Sequence, residues 1–257
     1  MPSLSLTFLG TGTSQGVPLI GCDCEVCVSE NQKDKRLRSS VLIQSNHTSI
    51  VIDTGPDFRQ QMLREKVSRL DAVVFTHEHK DHIAGLDDIR AYNFLLKKKM
   101  PIYASERVFE ALKREFHYIF FDDKYPGVPE IEPYLIDLNP FQISDIHITP
   151  ITLLHYKLPV FGYVFNKKIA YITDANYISP EEMDKLKNID VLVINALRKT
   201  PHISHFTLSQ ALQIISELNP KQAYLTHISH QLGLHNQVQQ GLPSNVFVAF
   251  DGLKITV

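Results

Sequence analysis

Cysteine is scarce in this chain: three residues among 257, all between positions 22 and 27. An odd, clustered set builds no disulfide framework, and a cytoplasmic, reducing setting follows as the default. No apolar run approaches the roughly 20 residues that span a bilayer. The opening MPSLSLTFLG has neither the charged n-region nor the long apolar h-region of a secretory signal. An excess of one charge is missing too, since 26 Lys and Arg against 28 Asp and Glu leave a formal charge of −2. Such a chain has no general attraction for polyanions; nucleic-acid binding would need a local patch, and no membrane partner is expected. Nor does a linker interrupt the chain, and residues 1–257 read as one domain.

What the chain has is histidine, twelve in all, within a composition of 44% hydrophobic and 21% charged residues that can bury a sizeable core. Residues 73–86 read VVFTHEHKDHIAGL. An apolar, β-branched run there delivers His77, His79, Asp81 and His82 in quick succession. Gathering such groups without a compensating charge is costly, so packing does not account for them. On an extended segment His77 and His79 point the same way and can pinch one cation. A turn at Lys80 then brings Asp81 and His82 to face a second. This is the pattern of a two-metal site.

The remainder reads as strands punctuated by helices. Residues 4–9 alternate as a half-buried strand and run into GTGTSQG at 10–16. That loop either presents backbone N–H groups to an anion or makes a plain turn. Cys22, Cys24 and Cys27 form a C-x-C-x-x-C cluster, three thiolates that need a fourth ligand to close a zinc tetrahedron. The basic run KDKRLR at 33–38 reads as a solvated loop. Residues 41–44 and 49–52 make a hairpin, with His47 exposed near its turn, that ends at Asp53. Asp53 is placed to orient a metal-bound histidine from behind or to bond its own turn. Helices are expected over 59–65, 85–96, 106–116 and 207–218, and another after Ser179. Later strands are expected over 141–150, 151–154, 162–165, 169–172, 191–194, 222–225, 246–250 and 254–257. Residues 117–133 break every period, mixing aromatics with Pro, Gly and acidic residues. They read as a lid, a dimer contact or a cover over the core.

His155, Asp174 and His227 each follow one of these apolar runs. With the first four they make seven N- and O-type ligands, which suits two divalent cations such as zinc or manganese. Spacing alone does not pair the distant residues with the first motif. The chain resembles the metallo-β-lactamase superfamily over essentially its full length, through THEHKDH (76–82), His155, YITDA (171–175) and LTHISH (225–230). Its FLGTGTSQGVP and CDCEVC resemble the branch containing the cyclic phosphodiesterase of bacterial phosphonate breakdown, near the tRNA 3′-processing endonucleases. The resemblance implies an α/β fold, a four-layer αββα sandwich with the metals at the sheet ends. It implies that His77, His79 and His155 hold one metal and that Asp81, His82 and His227 hold the second, with Asp174 bridging. It also implies a structural zinc on Cys22, Cys24, Cys27 and His230. In that branch a histidine just before a helix faces the substrate phosphate. Here that residue is His205, with His202 its competitor.

The chemistry expected is hydrolysis of a small or cyclic phosphodiester. Two cations lower the pKa of a bridging water, and His205 protonates or hydrogen-bonds the departing oxygen. Asp81 and His205 are the residues taken as catalytic. Cleavage of tRNA needs a basic surface and a gripping arm, which the net charge and the short, non-basic 117–133 do not offer. Thioester or lactone hydrolysis is compatible with the same ligands. A non-catalytic, metal-stabilised interaction module is disfavoured by the complete ligand set, and a homodimer is left open.

Overall fold

Apolar residues on both sides of short strands call for cover on two faces. In the computed structural model, which describes residues 3–121 and 125–257, each sheet has a second sheet on one face and helices on the other. The first half lays down β1 (Ser5–Gly10), β2 (Ser40–Gln44), β3 (Ser49–Ile52), β4 (Ala72–Val74), β5 (Met100–Ala104) and β6 (Ile131–Leu135). The second half adds β7 (Phe141–Ile143), β8 (Ile146–His155), β9 (Leu158–Phe165), β10 (Ile169–Ile172), β11 (Tyr177–Ile178), β12 (Val191–Asn195), β13 (Gln222–Thr226) and β14 (Val246–Val248). Finally β15 (Lys254–Thr256) returns to pair with β1. The sheets run β15-β1-β2-β3-β4-β5-β6 and β11-β8-β9-β10-β12-β13-β14, with β7 also on β8.

Alternation along the strands decides which layer each residue joins. Val41, Ile43, Ile50 and Ile52 bury between the sheets with Ile148, Tyr163, Phe165 and Val193. Their neighbours Leu42 and Val51 turn outward to meet Phe58, Met62 and Leu112. On the far side Leu192, Ile194 and Leu225 pack with Ala211 and Ile215 of the helix Leu208–Leu218. The order helix, sheet, sheet, helix is the sandwich expected from the sequence.

Strand direction puts the chemistry at one edge. β3 runs parallel to β4, and β10, β12 and β13 are mutually parallel. β8 shares the direction of β10, because both run antiparallel to β9. Ligands in open α/β sheets gather beyond the carboxyl ends of parallel strands, and that is where the site residues lie.

Four expectations change. The strand expected over 141–150 breaks at Ser144, which has a left-handed φ of 52°, and β8 then runs unbroken through Pro150 to His155. The helix expected over 85–96 begins as a 3-10 segment, Leu86–Ile89, before Arg90–Leu96 turns α-helical. The basic run is not solvated throughout. Arg36 is 4% exposed and donates to Thr11 Oγ1 (2.8 Å), the Ala249 carbonyl (2.6 Å) and His235 Nδ1 (3.3 Å). Burial pulls its pKa down to about 10, while Asp251 and Asp34 supply the countercharge that a buried guanidinium requires. Within 117–133, His117–Phe120 forms a short helix with Ile119 buried in the outer core, and Ile131–Leu135 is an edge strand rather than a loop. The lid or dimer reading of this stretch falls partly on 122–124, outside the described residues.

Candidate metal centre

Five strand ends supply the cluster: β3 leads to Asp53, β4 to His77–His82, β8 to His155, β10 to Asp174 and β13 to His227. Asp53, Asp174 and His227 take left-handed φ values of 66°, 52° and 53°. Non-glycine residues adopt that conformation at a cost, and such outliers gather at functional sites. The residues Lys80–Ile83 make one helical turn that carries Asp81 and His82. The turn after Asp53 lies tightly against it. A Cβ on Gly55 would stand 2.2 Å from the Asp81 carbonyl oxygen, so only glycine permits that approach.

The ligand atoms fall into contiguous groups. Those of His77, His79 and His155 lie within 4.8 Å of one another, as do those of Asp81, His82, Asp174 and His227. A third group at the same spacing joins His155, Asp174 and His205. His155 and Asp174 therefore link the two sides of the cluster. Asp174 Oδ2 stands 3.2 Å from His82 Nε2 and 3.1 Å from His227 Nδ1.

The protein satisfies one nitrogen on each of three rings. His82 Nδ1 donates to Asp53 Oδ2 at 2.7 Å, and His155 Nδ1 donates to the Ser204 carbonyl at 2.8 Å. His77 Nδ1 donates at 2.9 Å to Thr76 Oγ1, which passes its own proton to Asp53 Oδ2 at 2.8 Å. Fixing Nδ1–H this way leaves each Nε2 with a free lone pair. The Nε2 atom of His77 is buried with no hydrogen-bond partner, and that of His82 faces only carboxylate oxygens of Asp81 (3.1 Å) and Asp174 (3.2 Å). Buried polar atoms seldom go unpaired, so these two require something that accepts lone pairs. Imidazole nitrogens beside two carboxylates fit divalent cations.

Charges within the cluster agree. Burial opposes ionisation of His82, yet Asp81, Asp174 and Asp53 outweigh it and hold its pKa well above the ordinary value. Burial likewise opposes the charge on Asp174, but His227 and His82 draw it well below the usual carboxylate range. His77 moves the other way, depressed by burial and by the charge on His82. A cation among these residues would supply the positive charge that His82 otherwise carries.

His205 joins the cluster and His202 does not. The His205 ring lies 4.6 Å from His155 and stacks at 4.8 Å on His227. Its Nδ1 is buried, unpartnered and 3.9 Å from Asp174 Oδ1. Burial and His227 depress its pKa to about 3. The His202 ring lies 5.1 Å from that of His205, and its Nδ1 accepts from the Ser204 amide. Three contacts had no reading in the sequence. Thr13 Oγ1 lies 3.3 Å from His227 Nε2, Ser39 Oγ lies 3.2 Å from His227 Nδ1, and the Ser204 carbonyl fixes His155. Thr13 sits in the GTGTSQG loop that drew attention, whereas a backbone carbonyl leaves no mark in a sequence.

The cysteine cluster forms a separate group. The ligand atoms of Cys22, Cys24, Cys27 and His230 lie within 4.8 Å of one another, with His230 Nδ1 3.4 Å from Cys22 Sγ and 3.2 Å from Cys24 Sγ. His230 draws the Cys24 thiol down to about 6, while burial pushes Cys27 up to about 11. Three sulfurs and an imidazole are the donor set of a closed zinc site.

Residues 48–228 match the family described as the beta-lactamase superfamily domain. The chain belongs to the beta-lactamase superfamily. The match takes in the His77, His79, Asp81, His82, His155, Asp174, His205 and His227 side chains, whose ligand atoms could hold metal ions. Among solved structures, a diphosphatase from the PhnP family superposes with a TM-score of 0.93 at 39% identity, covering 99% of this chain and 97% of that one. The short form of human tRNase Z superposes with a TM-score of 0.72 at 18% identity, covering 98% of each chain, a likeness of fold alone. The octanoyltransferase of Porphyromonas gingivalis is 39% identical over 97% of this chain but 51% of its own length. The chain spans about half the length of the curated relatives it matches. Among the described residues no helix is long and apolar enough to cross a membrane.

Proposed function

We propose that the chain hydrolyses small or cyclic phosphodiesters at a pair of divalent cations, zinc or manganese. The observation that carries this reading is the junction of two ligand groups through Asp174 and His155, with His205 beside both. His77, His79 and His155 would hold one cation, Asp81, His82 and His227 the other, and Asp174 would lie between. Cys22, Cys24, Cys27 and His230 would hold a structural zinc. When bound, the catalytic cations activate water at neutral pH and offset charge on phosphoryl oxygens.

The chain's own residues do the rest. Asp53 fixes the tautomers that keep both Nε2 atoms of His77 and His82 directed at the cluster. Asp81, held ionised by His82 against the cost of burial, accepts a hydrogen bond from the attacking water and orients it. His205 hydrogen-bonds or protonates the departing oxygen. A diphosphatase from the PhnP family, at 39% identity across nearly the whole chain, supports phosphoryl chemistry. The octanoyltransferase name belongs to a protein about twice the matched length, and tRNA cleavage rests on a likeness of fold. A cytoplasmic setting and a small-molecule substrate belong to the same reading.

Metal-reconstituted protein should release nitrophenol from bis(p-nitrophenyl) phosphate and open cyclic phosphodiesters. It should leave octanoyl thioesters and precursor tRNA intact. Asp81→Ala should abolish turnover and His205→Ala should lower it by about 100-fold or more, while circular dichroism stays unchanged. Full activity in both variants would overturn the assignment.

A further inference from the structure

An open cleft of about 620 Å3 borders the cluster, with His79 and His155 on its surface. Its other lining includes Arg107, Tyr156, Lys157, Leu158 and Ile203, and among the described residues no acidic side chain lines it. The cleft thus combines cations, an aromatic ring and apolar edges directly beside the candidate ligands.

The turn that builds one wall is unusual. His155 pairs with Leu158, so Tyr156 and Lys157 form the two-residue tip of the β8–β9 hairpin. Tight hairpin tips of this length use a positive φ, and glycine, asparagine or aspartate normally supplies it. Here Tyr156 takes a φ of 59°, an outlier for a bulky side chain. The Asn176 side chain helps hold it, accepting the Tyr156 amide at 2.6 Å. Tyr156 is 49% exposed, so core packing does not explain the choice of tyrosine. Strain kept where glycine would relieve it points to use of the side chain.

The cations are placed to match. Lys157 Nζ lies 5.3 Å from the Tyr156 ring centroid and has no carboxylate partner among the described residues. Arg107 pairs through Nε with Glu78, the residue between His77 and His79. That bond ties it to the ligand segment and leaves its terminal N–H groups for another acceptor.

We infer that this cleft binds a nucleotide arm of the substrate. The heterocycle stacks on Tyr156 between the apolar edges, and Lys157 and Arg107 take a second phosphate. The inference rests on the phosphodiesterase reading and adds the substrate class.

Two nitrophenyl diesters test it, one with a methyl arm and one with thymidine 3′,5′-bisphosphate as the arm. The wild-type metalloenzyme should favour the nucleotide ester by about tenfold or more in kcat/KM, the scale of one base–aromatic stack. Tyr156→Gly, which suits the turn, and Lys157→Glu should each collapse that ratio, mainly through KM. Calorimetry with thymidine 3′,5′-bisphosphate alone gives a readout without turnover, and both variants should bind it about tenfold more weakly. Equal turnover of the two esters by wild type, or a ratio that survives both substitutions, overturns the nucleotide arm and leaves phosphodiester hydrolysis standing. Failure to cleave either ester overturns the phosphodiesterase reading and this inference with it.

Discussion

Asp53 accepts the Nδ1 proton of His82 at 2.7 Å, and both side chains are completely buried. Its second oxygen accepts the Thr76 amide at 2.8 Å, while Thr76 Oγ1 connects the same carboxylate to His77. One carboxylate therefore orients a ring in each ligand group. Asp53→Asn replaces an acceptor with a donor on one side of this network. Affinity for the catalytic cations should fall about 10- to 100-fold, the usual cost of losing such a partner. Competition against a chromophoric chelator measures it, and unchanged affinity would remove Asp53 from the site.

His205 and His202 are separable. His205→Ala should lower kcat by about 100-fold or more, the range of a lost proton donor. His202→Ala should act mainly on KM, since its ring lies beside His205 but belongs to none of the ligand groups. Steady-state kinetics on a nitrophenyl diester distinguishes them, and a larger kcat loss in His202→Ala would exchange the roles.

The cysteine site should be structural. Replacing Cys22 and Cys24 together by Ala should remove one zinc per chain by elemental analysis and lower the melting temperature. Metal binding at such a site contributes folding free energy directly. Equal zinc content in the double variant would exclude zinc from this cluster.

His235 should make stability depend on pH. Arg36 can only donate, so His235 Nδ1 must accept and the ring must be neutral there. Burial, then Arg36, depress its pKa to about 4 from 6.5. Between those values the unfolded chain binds the proton that the folded chain refuses, so this contribution is complete above pH 6.5 and is lost as pH falls towards 4. His235→Gln lacks it. The wild type's advantage in melting temperature over that variant should shrink across this window, and parallel curves would refute the assignment.

Tyr156→Gly should leave the fold intact and stabilise it. Relief of a left-handed tyrosine is worth about 1 kcal/mol, read as a higher melting temperature. A clear loss of stability would mean that the ring packs rather than serves the cleft.

The sequence by itself determined most of the strands, their alternation and the crowding of His77, His79, Asp81 and His82, because these depend on near neighbours. It also marked Asp53, Cys22, Cys24 and Cys27 as residues in need of partners. The resemblance, rather than spacing, grouped His155, Asp174, His227 and His230 with them. Only the tertiary structure decided which atoms meet, because strand order across two sheets sets distances that chain separation does not encode. It turned Arg36 from a solvated cation into a buried strut, since its countercharges Asp34 and Asp251 converge only in the fold. It also made Ser204 a partner of His155 and gave Tyr156 its strained place beside the cleft. A backbone carbonyl leaves no trace in residue type, and neither does a left-handed φ at a tyrosine, where asparagine, aspartate or glycine is the usual choice.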